Sequence, residues 1–122
     1  MNQTFKKMNT TTNYMSKIDK INFLEWKEKK GKYNGRLMFQ LWVDYLCIEK
    51  NFKDFYSKIT ENERLRTKDD ITQYKIVDLD SENWNNFMLL CRKNKIYAND
   101  LINILVKKFN NQGYCIETKL KV

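Results

Sequence analysis

Residues 74–109 read YKIVDLDSENWNNFMLLCRKNKIYANDLINILVKKF, and the order of elements in this stretch decides the expected fold. Its opening is β-branched and aromatic. Lys75, Val77 and Leu79 alternate with Tyr74, Ile76 and Asp78, which is the period of a strand. Ser81 follows as a helix N-cap, with Glu82 in the first turn where the helix dipole favours an acid. Trp84, Phe87, Met88, Leu90 and Cys91 recur at helical spacing as far as Asn94. Lys95-Ile96-Tyr97 interrupts the pattern. Leu101, Ile102, Leu105, Val106 and Phe109 resume it on the inner face of a second helix. Gly113 suits the position just past that helix, and Tyr114 to Val122 alternates with period two, predicting a final strand.

Working outward, Asn34 can cap a helix, and Leu37, Met38, Leu41, Trp42, Tyr45 and Leu46 lie three and four residues apart. Phe52, Phe55, Tyr56 and Ile59 extend the stripe. The pattern predicts one long amphipathic helix over 35–59, or two with a bend near Asn51. Ile18, Ile21, Phe23, Leu24 and Trp26 form a shorter apolar patch, followed by Lys27, Lys29, Lys30 and Lys32. Residues 1–16 are polar without a sustained period and read as a tail. The expected organisation is a flexible basic arm over 1–17, a helical region over 18–70, and a C-terminal module over 71–122.

The chain has 122 residues, enough for one compact domain, and a hydrophobic fraction of 42% that supports a core. Its net charge is +8, from 23 Lys and Arg against 15 Asp and Glu. A basic chain favours a polyanionic partner. Codon bias is the competing explanation, because Lys and Asn abound while Ala occurs once and Pro never. The absence of His removes the commonest general acid–base residue, and no phosphate-cradling Gly-rich loop appears. Cys47, Cys91 and Cys115 form no CxxC pair, which leaves neither a zinc site nor a disulfide framework to expect. The expectation is a protein that is not an enzyme, has no catalytic or metal-ligating residues, carries no cofactor and resides in the cytoplasm. No apolar run is long enough to span a membrane.

Strand, helix, short turn and helix over residues 73–110 resemble the ribbon-helix-helix family of DNA-binding proteins. The resemblance implies a mainly α fold with short β elements. In it the 73–79 strand would pair with its twin in a homodimer, preceded by an N-terminal amphipathic helical region. It implies Tyr74, Lys75, Ile76 and Asp78 at the DNA, with Tyr74, Ile76 and Asp78 facing the groove. A one-residue slip would instead present Lys75 and turn Ile76 inward. Tyr97, Ala98 and Asn99 would meet a phosphate at the start of the second helix, and Trp84, Phe87, Leu90, Leu101 and Leu105 would form the dimer core. The family often has Gly at the inter-helix turn and Pro after the strand, where this chain has Lys95 and Asp80.

The stretch LLCRKNKIYANDLINILVKKFNNQGYCIE also resembles a winged helix-turn-helix, with the wing at 114–122. Either resemblance implies sequence-specific binding of double-stranded DNA. Small basic proteins of this composition look like those of plasmids and phages. There they serve as autoregulatory repressors, partition proteins or relaxosome accessory proteins in conjugation. The aromatic N-terminal region would then have an added task, such as contacting a relaxase, another protein or a neighbouring dimer. The alternative from a different class is a protein-interaction module, such as a phage inhibitor of a host nuclease.

Overall fold

The computed structural model describes residues 8–30, 32–64 and 70–112. It contains β1 (Met8–Ser16), α1 (Lys17–Lys30), α2 (Lys32–Leu46), α3 (Glu49–Ser57), α4 (Glu61–Arg64), β2 (Ile71–Asp80), α5 (Ser81–Lys93) and α6 (Ala98–Gln112). The two strands pair antiparallel, with Ser16 opposite Ile71 at one end and Met8 opposite Asp80 at the other. Lys17 N–H donates to Asp70 C=O at 2.9 Å and closes the Ser16–Ile71 end of the ribbon.

This pairing overturns the ribbon-helix-helix expectation. The ladder bonds that the 73–79 strand was expected to exchange with a second copy are made to β1 of the same chain. Residues 8–16, expected in a free arm, are the partner strand. The groove-facing register is also reversed. Tyr74 and Ile76 point into the core, and Ile76 is only 2% exposed, while Gln73 and Lys75 are exposed. Between the Asn9–Leu79 and Thr11–Ile76 pairs β2 carries one extra residue, a bulge that breaks the alternation and returns Leu79 to the interior.

One apolar core collects side chains from both strands and from α1, α2, α3, α5 and α6. Phe23 of α1 sits at a crossroads. Its ring lies 5.0 Å from Phe39 and 6.2 Å from Trp42 of α2, 5.9 Å from Tyr74 of β2 and 5.8 Å from Phe109 of α6. Edge-on and tilted ring pairs at these separations add to the burial of large apolar surfaces. The five side chains expected in a dimer core, Trp84, Phe87, Leu90, Leu101 and Leu105, are buried within the single chain.

Local chemistry explains the element ends. Of the two forms expected for the 35–59 stripe, one long helix or two in sequence, the chain has two, with the break at Cys47-Ile48 instead of near Asn51. The Asn51 amide donates to Tyr45 C=O at 3.1 Å and satisfies a carbonyl at the end of α2. Thr60 and Glu63 form a reciprocal capping box for the short α4. The N-cap of α5 is Asp80, one residue before the expected Ser81, and its carboxylate accepts from Asn83 N–H at 3.0 Å. Ser81 donates instead to the Asn9 side chain at 2.8 Å, tying α5 to β1.

Helix α5 ends in a Schellman turn. Ile96 N–H bonds Cys91 C=O and Lys95 N–H bonds Arg92 C=O. Lys95 occupies the left-handed position with φ 58°, where glycine is usual. The chain therefore has the expected helix–turn–helix at 81–112. The final strand and wing expected at 114–122 lie outside the described residues, as does Gly113.

Candidate nucleic-acid interface

The β1–β2 ribbon has one face on the core and one face open. Inward positions of β1 are Asn9, Thr11, Asn13 and Met15. Exposed positions are Met8, Thr10, Thr12 and Tyr14. From β2, Gln73 lies opposite Tyr14 and Lys75 lies opposite Thr12, and both are exposed. The open face thus carries hydroxyls, an amide and an ammonium on adjacent strands.

The two edges of this ribbon have different neighbours. On the β1 side, Asn99 and Asn103, one helical turn apart on α6, grip the backbone of Tyr14. Tyr14 N–H donates to Asn99 Oδ1 at 2.7 Å, and Tyr14 C=O accepts from Asn99 Nδ2 at 3.0 Å and Asn103 Nδ2 at 2.7 Å. Asn103 Oδ1 also accepts from the Asn13 amide at 2.7 Å. Asn13 is 3% exposed, so this bond satisfies a buried donor in an otherwise apolar interior.

On the β2 side, α1 lies alongside and leaves a shallow groove lined by Lys20, Leu24, Lys27 and Ile71 through Lys75. Lys20 Nζ donates to Gln73 C=O at 2.9 Å, and Lys27 Nζ donates to Tyr74 Oη at 3.3 Å. Lysine supplies three charged side chains to the groove, and no carboxylate is among its described lining residues. A second concavity, a cavity of about 470 Å³ near the start of α6, is mixed in charge. There Asp19, Glu63 and Asp100 stand with Arg64 and Lys107.

The residues expected at DNA are therefore dispersed. Lys75 is on the open face. Tyr74 is buried under Lys27, with its phenol pushed up to about 12 by loss of solvent. Ile76 is core, and the side chain of Asp78 lies outside the described residues. Asn99 has both amide atoms engaged by Tyr14, so it serves the strand edge. Ala98 is half-buried against the core, and Tyr97, 72% exposed, lines the mixed-charge cavity.

Sequence reasoning missed Thr10, Thr12, Tyr14, Gln73 and Lys20. The usable signal was the β-branched run Thr10-Thr11-Thr12. It was masked because Asn9, Thr11 and Asn13, three of the four inward positions, are polar. Among the described residues no cluster of His, Cys, Asp and Glu could hold a metal ion, and no helix is long and apolar enough to cross a membrane. No protein-family model, no curated protein and no solved structure matches this chain.

Proposed function

We propose that this protein binds double-stranded DNA by laying the open face of its β1–β2 ribbon in the major groove. The observation that carries the reading is the face itself. Thr10, Thr12, Tyr14, Gln73 and Lys75 present hydroxyl, amide and ammonium groups across the antiparallel β1–β2 pair, with the exposed Met8 and Ile71 toward its ends. A ribbon of this width fits the major groove, where donors and acceptors on base edges are read directly. Gln73 and Lys75 suit adenine and guanine edges respectively, and the threonines suit either polar edges or the thymine methyl. Lys20 on α1 lies beside the ribbon with its ammonium on Gln73 C=O, and in this reading it would turn to a phosphate, which positions the protein without specifying sequence. The net charge of +8 adds non-specific attraction. Because both strands come from one chain, the reading surface does not need a second copy.

The test is a duplex titration across ionic strength. Affinity should fall steeply with salt. Lys20→Gln should lessen the slope of log K against log salt by about 1, weakening all sequences alike. On a selected site, Gln73→Ala should lose about 1–3 kcal/mol of discrimination at one base position. Absence of salt-dependent duplex binding at low ionic strength removes the reading.

A further inference from the structure

Helix α1 carries apolar side chains on two opposite sides. Phe23, fully buried, and the half-buried Trp26 face the core. Ile18, Ile21 and Leu24 recur every three residues and face outward, between 37% and 61% exposed. At about 100° per residue, Ile21 lies in the middle of the outward face, with Ile18 and Leu24 about 60° to either side. Residues three apart are neighbours on a helix surface, so the three form one stripe. Leu24 shares a shallow groove with Ile71, which is also exposed. Single exposed aliphatic residues are ordinary, but several side by side mark a surface that meets a partner. The charges beside the stripe are ordered along it. Lys17 stands one turn before Ile21 and Glu25 one turn after it, both exposed. Glu28, also exposed, lies nearly a further turn on.

We infer that this stripe pairs with the same stripe of a second copy of the chain, antiparallel about a twofold axis at Ile21. Charge complementarity names the occupant. In an isologous contact between antiparallel helices, a residue lying before the axis in one copy stands level with the residue equally far beyond it in the other. Lys17 then stands level with Glu25 of the second copy, and Glu25 with its Lys17. Ile18 stands level with Leu24, and Ile21 meets itself. Glu28 reaches past the first turn of the second copy's α1, where the helix dipole favours an acid. Parallel pairing would instead set Lys17 against Lys17 and Glu25 against Glu25. Lys17 also meets Asp70 at 3.9 Å, but both side chains are largely exposed, and such a pair holds the lysine weakly. The patch is small, so association belongs to the weak, transient class, with a dissociation constant of about 10–100 μM. This contact leaves the β1–β2 pairing intact, unlike the strand-to-strand dimer expected from the sequence. It also stands apart from duplex binding. It needs no nucleic acid, and its charged pair and central Ile21 belong to α1, not to the ribbon.

The experiment is sedimentation of the full chain, without nucleic acid, from micromolar to millimolar concentration. The chain should pass from monomer to dimer. Ile21→Glu sets two carboxylates against each other at the axis and should weaken association about tenfold or more. Its melting temperature in dilute solution should not change, because the residue is exposed. Lys17→Glu leaves only acids in the two pairs, and Glu25→Lys only bases, so each should weaken association about threefold. An equimolar mixture of these two variants should associate more tightly than either alone, because each supplies the charge the other lacks. A chain that stays monomeric throughout, or a dimer indifferent to Ile21→Glu, overturns the inference. So does a mixture no tighter than its components, since only the antiparallel register pairs Lys17 with Glu25. The mixture decides the matter on its own should Ile21→Glu fail to fold. Binding of monomers to phosphatidylserine vesicles without self-association would assign the stripe to a lipid surface and overturn the inference as well.

Discussion

Along β1, the backbone of Tyr14 is held by two asparagine amides presented from successive turns of α6. Along β2, the equivalent backbone of Gln73 meets a lysine ammonium at the end of a four-carbon stem. Both arrangements satisfy a strand edge, but they differ in rigidity. An asparagine that donates and accepts at once imitates a neighbouring strand and closes the edge to other chains. A lysine satisfies one carbonyl and can swing away without disturbing the fold. The contrast separates a rigid bracket from a pliant contact, and substitutions on each side should differ in kind.

The largest effect is expected at Asn103. Replacing it with Ala strands the buried Asn13 amide and removes a bond to Tyr14 C=O, a loss of about 1–3 kcal/mol because an orphaned buried donor forfeits its hydration. Urea denaturation checks this. A double-mutant cycle with Asn13→Ala should show coupling, since the two residues share one bond. A loss no larger than that of a surface substitution would mean that α6 does not hold β1.

Asn99→Ala should cost less, about 0.5–1.5 kcal/mol. Its bonds are exposed, so water can replace them, and Asn103 still reaches Tyr14 C=O. The same substitution should leave duplex affinity unchanged, whereas a residue that contacted a phosphate would not. A gel-shift titration of Asn99→Ala beside Lys75→Gln makes the distinction.

Helical stretches and most of the core were legible because apolar residues at 3.6-residue spacing advertise a buried face, although their ends were not. Trp84, Phe87, Leu90, Leu101 and Leu105 were recognised as interior, though the interior is the chain's own. The partner of β2 was not legible. Periodicity identifies a strand from what it buries, and β1 buries asparagine and threonine along with Met15. Its inward face is polar because α6 answers it with asparagines, and such a match between residues about 90 apart leaves no local trace. The bulge at Val77–Asp78 was hidden for a related reason. Strict alternation over 74–79 predicts a single face, and one inserted residue reverses which half of the strand that face contains. With Tyr74 and Ile76 turned inward, the expected reading surface passed to Gln73, Lys75 and the threonines of β1.

The position of the asparagine bracket depends on where α6 begins, and Lys95 sets that point. A lysine in the left-handed region carries a steric penalty of about 1–2 kcal/mol, partly offset in a glycine variant by the greater freedom of the unfolded chain. Lys95→Gly should therefore stabilise the protein by about 0.5–1 kcal/mol and leave the Asn99 and Asn103 bonds in place. Lys95→Val should destabilise it, because a β-branched residue tolerates this φ poorly. Thermal melts of the pair provide the comparison.

The smallest effect is expected on the other edge. Lys20→Met keeps most of the stem that lies along the groove and deletes only the ammonium that meets Gln73 C=O. That carbonyl is at an exposed edge, so water takes the place of the lysine, and the change in stability should stay within about 0.5 kcal/mol. Its consequence should appear in binding, as weaker association with a duplex. A destabilisation as large as that of Asn103→Ala would show that Lys20 clamps β2 as firmly as the asparagines clamp β1.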